Sequence, residues 1–142
     1  MGKKKIVNKG GDDNRVKSGS RQKLSRRKLD TGILYVQSTF NNTKILLTDS
    51  KGNAVASSSS GSLGFRGAKK GTPFAAAKAA EVLSEKAEAM GLKTVKVVVK
   101  GVGSGRESSI RSFISKGVQI LSIEDRTPVP FNGPKAPKPR RV

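Results

Sequence analysis

Residues 72–100 read TPFAAAKAAEVLSEKAEAMGLKTVKVVVK, and their hydrophobic spacing changes from a helical to a strand period. Thr72 is a typical N-cap residue, and Pro73 suits the first position of a helix. The apolar stripe that follows consists of Ala76, Ala80, Leu83, Ala87 and Met90. This spacing predicts an amphipathic helix that Gly91 ends as a left-handed cap.

Three strands are predicted upstream of this helix. Residues 33–40 (ILYVQSTF) and 43–49 (TKILLTD) are β-branched runs separated by Asn41 and Asn42. An Asn pair tolerates positive φ, so the two runs indicate a hairpin. A third run, 54–58, follows a turn and completes three antiparallel strands.

Two strands and a second helix are predicted downstream. Val95, Val97 and Val99 lie on one side of the strand 94–100. A helix then begins near Ser104, which forms a capping box with Glu107, and ends before Gly117. With a last strand at 118–123, the order β-β-β-α-β-α-β predicts an α/β fold, a mixed five-stranded sheet with helices on its faces, in one domain at 30–125.

The charge is concentrated at the two ends of the chain. The 142 residues carry 29 Lys+Arg and 10 Asp+Glu, a formal net charge of +19. Residues 1–29 hold eleven basic and two acidic side chains and lack hydrophobic periodicity, so a disordered basic arm is predicted. Residues 126–142 hold five basic side chains, no acid and five of the six prolines, which predicts an extended tail.

The composition excludes several kinds of chemistry. The chain contains no cysteine and no histidine, so zinc or iron–sulfur centres, disulfides and Ser-His or Cys-His nucleophiles are excluded. We expect no cofactor and no metal. A net charge this positive indicates a polyanionic partner. The sequence contains no apolar run long enough to span a membrane. The N-terminus has no signal-peptide core, so a cytoplasmic protein is expected.

Two glycine-rich loops are candidate phosphate-binding segments. Residues 57–73 (SSSSGSLGFRGAKKGTP) carry Arg66, Lys69 and Lys70 and lead into the Thr72 cap, while residues 101–107 (GVGSGRE) carry Arg106. Glycines allow close backbone approach, and helix N-termini attract anions. Neither loop fits a P-loop or a dinucleotide fingerprint. The alternative is that the glycines serve turns and the cations are only solvated.

A metal-dependent nuclease is a further alternative, because this strand and helix order can support carboxylate chemistry. The sequence leaves open whether Asp49 and Asp125 converge, although a turn role for Asp49 is favoured. The remaining acidic residues of the domain are too scattered for a ligand set, so no enzyme is predicted.

The aromatic residues bear on how nucleic acid would be bound. Tyr35, Phe40, Phe74 and Phe113 fall in predicted strands and helices, where core packing is the favoured role. Phe65 and Phe131 lie in a loop and in the tail. Recognition of RNA backbone and shape is therefore favoured over base stacking.

From Gly32 to Val142 the chain resembles the universal family of small-subunit ribosomal protein eleven, in its bacterial form. The segments that carry the resemblance are GILYVQSTFNNT, LTDSKGNAV, GFRGAKKGTPFAAAKAAE, VVVKGVGSGRES, SSIRSFISKG, DRTPVPFNG and the terminal PRRV. They occur in the family's order. The resemblance implies a ribonuclease-H-like sheet without the nuclease carboxylates.

The resemblance also implies a function. It implies a structural protein that bridges rRNA helices on the platform of the small subunit and lines the Shine–Dalgarno cleft near the exit site. Ribosomal proteins seven and eighteen, mRNA and initiation factor three are the implied partners, with no membrane and no homo-oligomer. The implied rRNA contacts are Asn41, Asn42, Arg66, Lys69, Lys70, Ser104, Arg106, Arg126, Asn132, Lys135, Arg140 and Arg141.

The chain departs from the family pattern at four positions. Val102 and Ser104 stand where prolines are usual, so Ser104 is free to cap the second helix. Phe131 and Pro134 replace the family's usual His and Cys. The dipeptide Asn132-Gly133 is retained, and the family's precedent implies that it can rearrange to isoaspartate.

A free-standing RNA chaperone or nucleoid-type binder is the second hypothesis for the function. If six tail cations each neutralise one phosphate, the log–log salt slope of binding is about −4 to −5. Deletion of 1–29 and 126–142 is expected to flatten it.

Overall fold

A computed structural model describes residues 28–135, 137 and 138. The strands are β1 (Thr31–Ser38), β2 (Thr43–Asp49), β3 (Ala54–Ser59), β4 (Thr94–Lys100) and β5 (Gln119–Asp125), and the helices are α1 (Pro73–Ala89) and α2 (Gly105–Ile114). Two short 3-10 segments, Gly61–Leu63 and Gly67–Gly71, lie between β3 and α1. The predicted order β-β-β-α-β-α-β is confirmed.

The five strands form one sheet in the order β3-β2-β1-β4-β5. β2 is antiparallel to both β1 and β3, whereas β4 is parallel to both β1 and β5. The parallel pairs require crossovers, which α1 and α2 provide. The mixed five-stranded α/β sheet expected from the sequence is therefore confirmed.

Both helices pack on the same face of the sheet. They contact each other, and one core cluster joins Leu34 of β1, Leu83 of α1 and Phe113 of α2, each at most 1% exposed. The predicted stripe of α1 is buried, as are Val95, Val97 and Val99 of β4. Among the described residues, the other face of the sheet carries no helix.

The ends of α1 follow the sequence signals. The Thr72 hydroxyl accepts a hydrogen bond from the Ala75 amide at 3.3 Å, and Pro73 is the first helical residue. At the other end Gly91 has φ +78°, and its amide donates to the Glu88 carbonyl at 2.9 Å. The predicted N-cap and left-handed cap are both confirmed.

The hairpin between β1 and β2 differs in detail from the expectation. Ser38 pairs with Thr43, so the connection has four residues, 39–42, and the Thr39 amide donates to the Asn42 carbonyl at 2.8 Å. Among the described non-glycine residues only Asn132 has positive φ. The hairpin is confirmed, and because its loop has four residues it forms without positive φ at Asn41 and Asn42.

Candidate nucleic-acid interface

Three loops meet at one end of the sheet, which we call the loop edge. They are the hairpin turn 39–42, the segment 60–72 and the segment 101–104. They meet there because β1, β3, β4 and β5 run parallel and end at this edge, while both helices begin there. The opposite end, the turn edge, carries the connections 50–53, 90–93 and 115–118.

Glycines allow the three loops to touch. A Cβ on Gly71 would overlap the Phe40 carbonyl, and a Cβ on Gly103 would overlap the Ser38 side chain and the Thr39 carbonyl. The Gly103 amide instead donates to the Ser38 carbonyl at 3.0 Å. These glycines are therefore needed for close approach of backbones.

Side chains also join the loops. The Asn42 amide oxygen accepts from the Gly61 amide at 3.3 Å, and the Ser104 hydroxyl donates to the Gly71 carbonyl at 2.8 Å. Asn42 and Ser104 therefore each link their own loop to the first glycine-rich segment.

The predicted capping box of α2 is absent. Ser104 has helical φ and ψ of −71° and −12°, and its side chain makes no cap hydrogen bond. Its hydroxyl bonds Gly71, thirty-three residues away, and the Glu107 carboxylate lies 3.6 Å from the Arg111 guanidinium. The capping prediction was wrong because the sequence pattern does not reveal this distant carbonyl.

Three predicted cations lie together on the segment 60–72. Arg66 and Lys69 are exposed and Lys70 is half-buried, and within the described ranges none of the three forms an ion pair. Lys69 and Lys70 belong to the 3-10 turn that leads directly into the Thr72 cap. Their charges are added to the positive end of the α1 dipole, so this surface attracts anions.

Arg106 has a different environment. Its guanidinium donates to the Gly101 carbonyl and lies 2.6 Å from the Asp125 carboxylate. The hydrogen bonds from Arg106 and then from Thr127 hold the pKa of Asp125 well below its ordinary value. The Gly101 amide in turn donates to the Thr127 hydroxyl at 3.2 Å. Arg106 therefore fastens the start of the C-terminal tail to the loop edge.

The aromatic residues fall into two groups. Phe113 is fully buried and Tyr35 is half-buried, but Phe40 and Phe74 are 83% and 63% exposed. The core role expected for Phe40 and Phe74 was wrong. Phe40 lies beyond the end of β1, and Phe74 stands two residues before Ala76, on the opposite side of α1.

The half-buried Phe65 and the exposed Phe74 contact each other at the start of α1. The rings of Phe65 and Phe74 meet edge to face, 6.1 Å between centroids at 85°, and the Lys78 ammonium lies 5.8 Å from the Phe74 centroid. Phe131, in the tail, is 96% exposed. The helical phase of Phe74 is the sequence signal that could have placed it outside the core.

The family model of ribosomal protein S11 matches residues 32–141. The chain belongs to the ribosomal protein S11 family. It is accordingly a structural constituent of the small ribosomal subunit, binds rRNA and works in translation among other ribosomal proteins. The family is structural and is not known as enzymatic, and the resemblance seen in the sequence is confirmed.

The two candidate carboxylates of a nuclease lie far apart. Asp49 ends β2 at the turn edge, where its carboxylate accepts from the Lys51 and Asn53 amides at 2.9 and 2.8 Å. Hydrogen bonds from Asn53 lower the pKa of Asp49. Asp125 lies at the loop edge and is paired with Arg106. Because β2 and β5 run in opposite directions, the two carboxylates lie at opposite ends of the sheet and do not converge.

The remaining predicted contact residues lie in the tail. Arg126 is exposed and pairs with Glu124, 2.7 Å apart, while Asn132, with φ +58°, and Lys135 are exposed. Asn41 is exposed in the hairpin turn. Arg140 and Arg141 lie outside the described residues, as does the predicted arm 1–29 apart from Lys28 and Leu29.

The helices of the described ranges do not include one of the length and hydrophobicity needed to cross a membrane.

Proposed function

We propose that the loop edge is the surface with which this chain bridges rRNA helices. One observation supports this proposal above the others: three sequence-distant loops and the start of the tail meet at one edge. Arg66, Lys69 and Lys70 lie there beside a helix N-terminus and form no ion pair with a described residue. Phosphate groups of two RNA strands are the ligands that such a surface fits, because cations and free amides both bind phosphate.

The proposed contact residues divide by role. Arg66, Lys69 and Lys70 contact phosphates through their own charges. Asn42, Ser104 and Arg106 hold the loops in place and reach RNA with their remaining polar groups. The full set comprises Asn41, Asn42, Arg66, Lys69, Lys70, Ser104, Arg106, Arg126, Asn132, Lys135, Arg140 and Arg141.

We further propose the position of the chain in the particle. The family's segments support a place on the platform, beside the Shine–Dalgarno cleft and the exit site, with ribosomal proteins seven and eighteen as neighbours. They also support contact with mRNA and initiation factor three, in a cytoplasmic rather than an organellar ribosome.

Tethered cleavage of rRNA tests which edge faces RNA. The chain has no cysteine, so Lys69→Cys and Lys93→Cys each place one thiol, at the loop edge and at the turn edge respectively. An iron chelate attached to each thiol would generate hydroxyl radicals in reconstituted small subunits. We expect strong rRNA cleavage from position 69, at platform helices, and weak cleavage from position 93.

Equal cleavage from both positions, or cleavage from position 93 alone, would contradict the proposed orientation. Sedimentation in a high-salt gradient distinguishes the free-standing RNA chaperone. A subunit component stays with the small subunit, whereas a chaperone is released from it.

We also propose that Asn132 rearranges to isoaspartate. Asn132 is exposed, and Gly133 offers little steric resistance to succinimide closure. Mass mapping of the tryptic peptide from purified ribosomes is expected to show deamidation at Asn132, and an intact Asn132 would refute this proposal. Asn132→Gln is the matched control, because its longer side chain closes the ring slowly.

A further inference from the structure

The face of the sheet opposite α1 and α2 carries a groove of about 520 Å³. Its side chains come from four neighbouring strands and include Tyr35, Gln37, Lys44, Leu46, Val98 and Lys100. This volume lies in the range of pockets that hold small ligands. We call it the open-face groove.

The strand register arranges these side chains in two rows. Tyr35 pairs with Leu46 on one side and with Val98 on the other, which makes an apolar row with the phenol ring at its centre. One step nearer the loop edge, Gln37 pairs with Lys44 and with Lys100. Because strands are spaced about 4.8 Å apart, two lysines flank one glutamine across about 10 Å.

The charge of the groove is positive. Lys44 and Lys100 are exposed, and neither forms an ion pair with a described residue. None of the described residues that line the groove is acidic. Glu124, which pairs with Val98 in the sheet, is the acid next to the groove, and Arg126 neutralises it. An anionic ligand is therefore favoured.

The groove is continuous with the loop edge. Gln37 and Lys44 flank the hairpin turn, and Lys100 directly precedes the segment 101–104. A strand of RNA bound at the loop edge can therefore extend onto the open face without leaving the protein surface.

We propose that the open-face groove binds an unpaired rRNA nucleotide. The base stacks on the Tyr35 ring between Leu46 and Val98, the Gln37 amide bonds the base edge, and Lys44 and Lys100 pair with the adjoining phosphates. Unstacked bases are bound on aromatic side chains of exposed sheets in this way. This site rests on the rRNA-binding function and adds base stacking to the backbone contacts of the loop edge.

The fluorescence of Tyr35 tests the proposal directly. The chain has one tyrosine and no tryptophan, so its emission reports on this groove alone. The full chain would be titrated with small-subunit rRNA, with filter retention measuring binding and free tyrosine amide correcting for absorption of light by RNA. We expect Tyr35 emission to be quenched over the same RNA concentrations at which the rRNA is retained.

Variants distinguish the groove from the turn edge. Lys44→Ala/Lys100→Ala is expected to weaken quenching by single-stranded hexauridylate about tenfold, whereas Lys93→Ala/Lys116→Ala, at the turn edge, leaves it unchanged. Labelled hexauridylate is expected to bind Tyr35→Leu about tenfold more weakly and Tyr35→Phe almost normally. Unfolding in urea checks that each variant is folded.

Each result decides one question. Retention of rRNA without quenching would overturn the groove proposal and leave the loop-edge function intact, whereas loss of retention in the wild-type chain would overturn both. If rRNA does not quench Tyr35, but Lys44 or Lys100 cross-links to a protein in assembled subunits, the groove belongs to a protein neighbour and the nucleotide proposal is wrong.

Discussion

Two pairs of glycines, one pair at each end of the sheet, serve different purposes. At the turn edge, Gly52 and Gly117 have φ of +91° and +89°, and a Cβ on either would meet nothing within 4 Å. At the loop edge, Gly71 and Gly103 have ordinary φ, but a Cβ would overlap neighbouring backbone. The first pair needs the conformational freedom of glycine and the second needs its small size, while Gly64 at the loop edge also has positive φ.

This difference explains why the turns are easier to predict from the sequence than the contacts between the loops of the loop edge. A turn glycine acts within its own few residues, so its pattern is local. A packing glycine acts on a loop that is distant in sequence. The turn role of Gly52 can therefore be predicted from its own segment, whereas the contact between Gly71 and the Phe40 carbonyl cannot.

Alanine at the two kinds of glycine gives the largest expected effect. Gly103→Ala forces the hairpin turn away from the segment 101–104, and we expect the free energy of unfolding to fall by about 3 kcal/mol. Gly52→Ala costs about 1 kcal/mol, because only its backbone conformation is strained. Urea denaturation of both variants measures the difference. Equal losses, or a larger loss for Gly52→Ala, would show that the two kinds of glycine do not differ in this way.

The second prediction concerns the link between the loop edge and the tail. Arg106→Ala removes the main hydrogen bond to Asp125, so we expect the pKa of that carboxyl to rise toward its ordinary value of 3.8. Asp49, at the turn edge, keeps its lowered pKa because Asn53 is unchanged. Carbon-detected NMR titration of the carboxyl groups follows both, and an unmoved Asp125 would contradict the role of Arg106.

The same pair makes stability depend on pH. Because the pKa of Asp125 is lowered in the folded state, its stabilising effect is present above pH 3.8 and is lost as the pH falls toward its folded pKa. Below pH 3.8 the wild-type chain is therefore expected to lose stability more steeply than Arg106→Ala.

The smallest expected effect compares two buried hydroxyls near the two edges. Thr48, near the turn edge, donates to the Ile33 carbonyl at 3.4 Å, whereas the Ser58 hydroxyl, near the loop edge, has no partner among the described residues. Ser58→Ala is expected to raise the free energy of unfolding by about 1 kcal/mol, and Thr48→Val to lower it by a similar amount. A loss of stability in Ser58→Ala would mean that its hydroxyl has a partner after all.

Much of the fold could be predicted because its signals are periodic and local. The stripe of α1, the alternation of β4 and the caps at Thr72 and Gly91 all involve residues within a few turns or strand steps. The position of both helices on one face follows from the strand order, which the local patterns do not contain.

The site was predicted less completely, for reasons of distance along the chain. The glycine-rich loops and their cations were visible, but the partner of Ser104 is Gly71 and that of Arg106 is Asp125. Phe40 shares the phase of Leu34 and Val36, yet β1 ends at Ser38. The two rows of the open-face groove need the register of three strands, which only the structure supplies.

The central claim is that the loop edge, and not the turn edge, carries the phosphate contacts. Two triple variants with the same loss of charge test it: Arg66→Ala/Lys69→Ala/Lys70→Ala at the loop edge and Lys51→Ala/Lys93→Ala/Lys116→Ala at the turn edge. The measurement is the affinity for small-subunit rRNA as a function of salt concentration. We predict that the loop-edge variant reduces the magnitude of the log–log slope by about 2 to 3, while the turn-edge variant leaves it unchanged. Equal reductions in both variants, or a reduction in the turn-edge variant alone, would contradict the account.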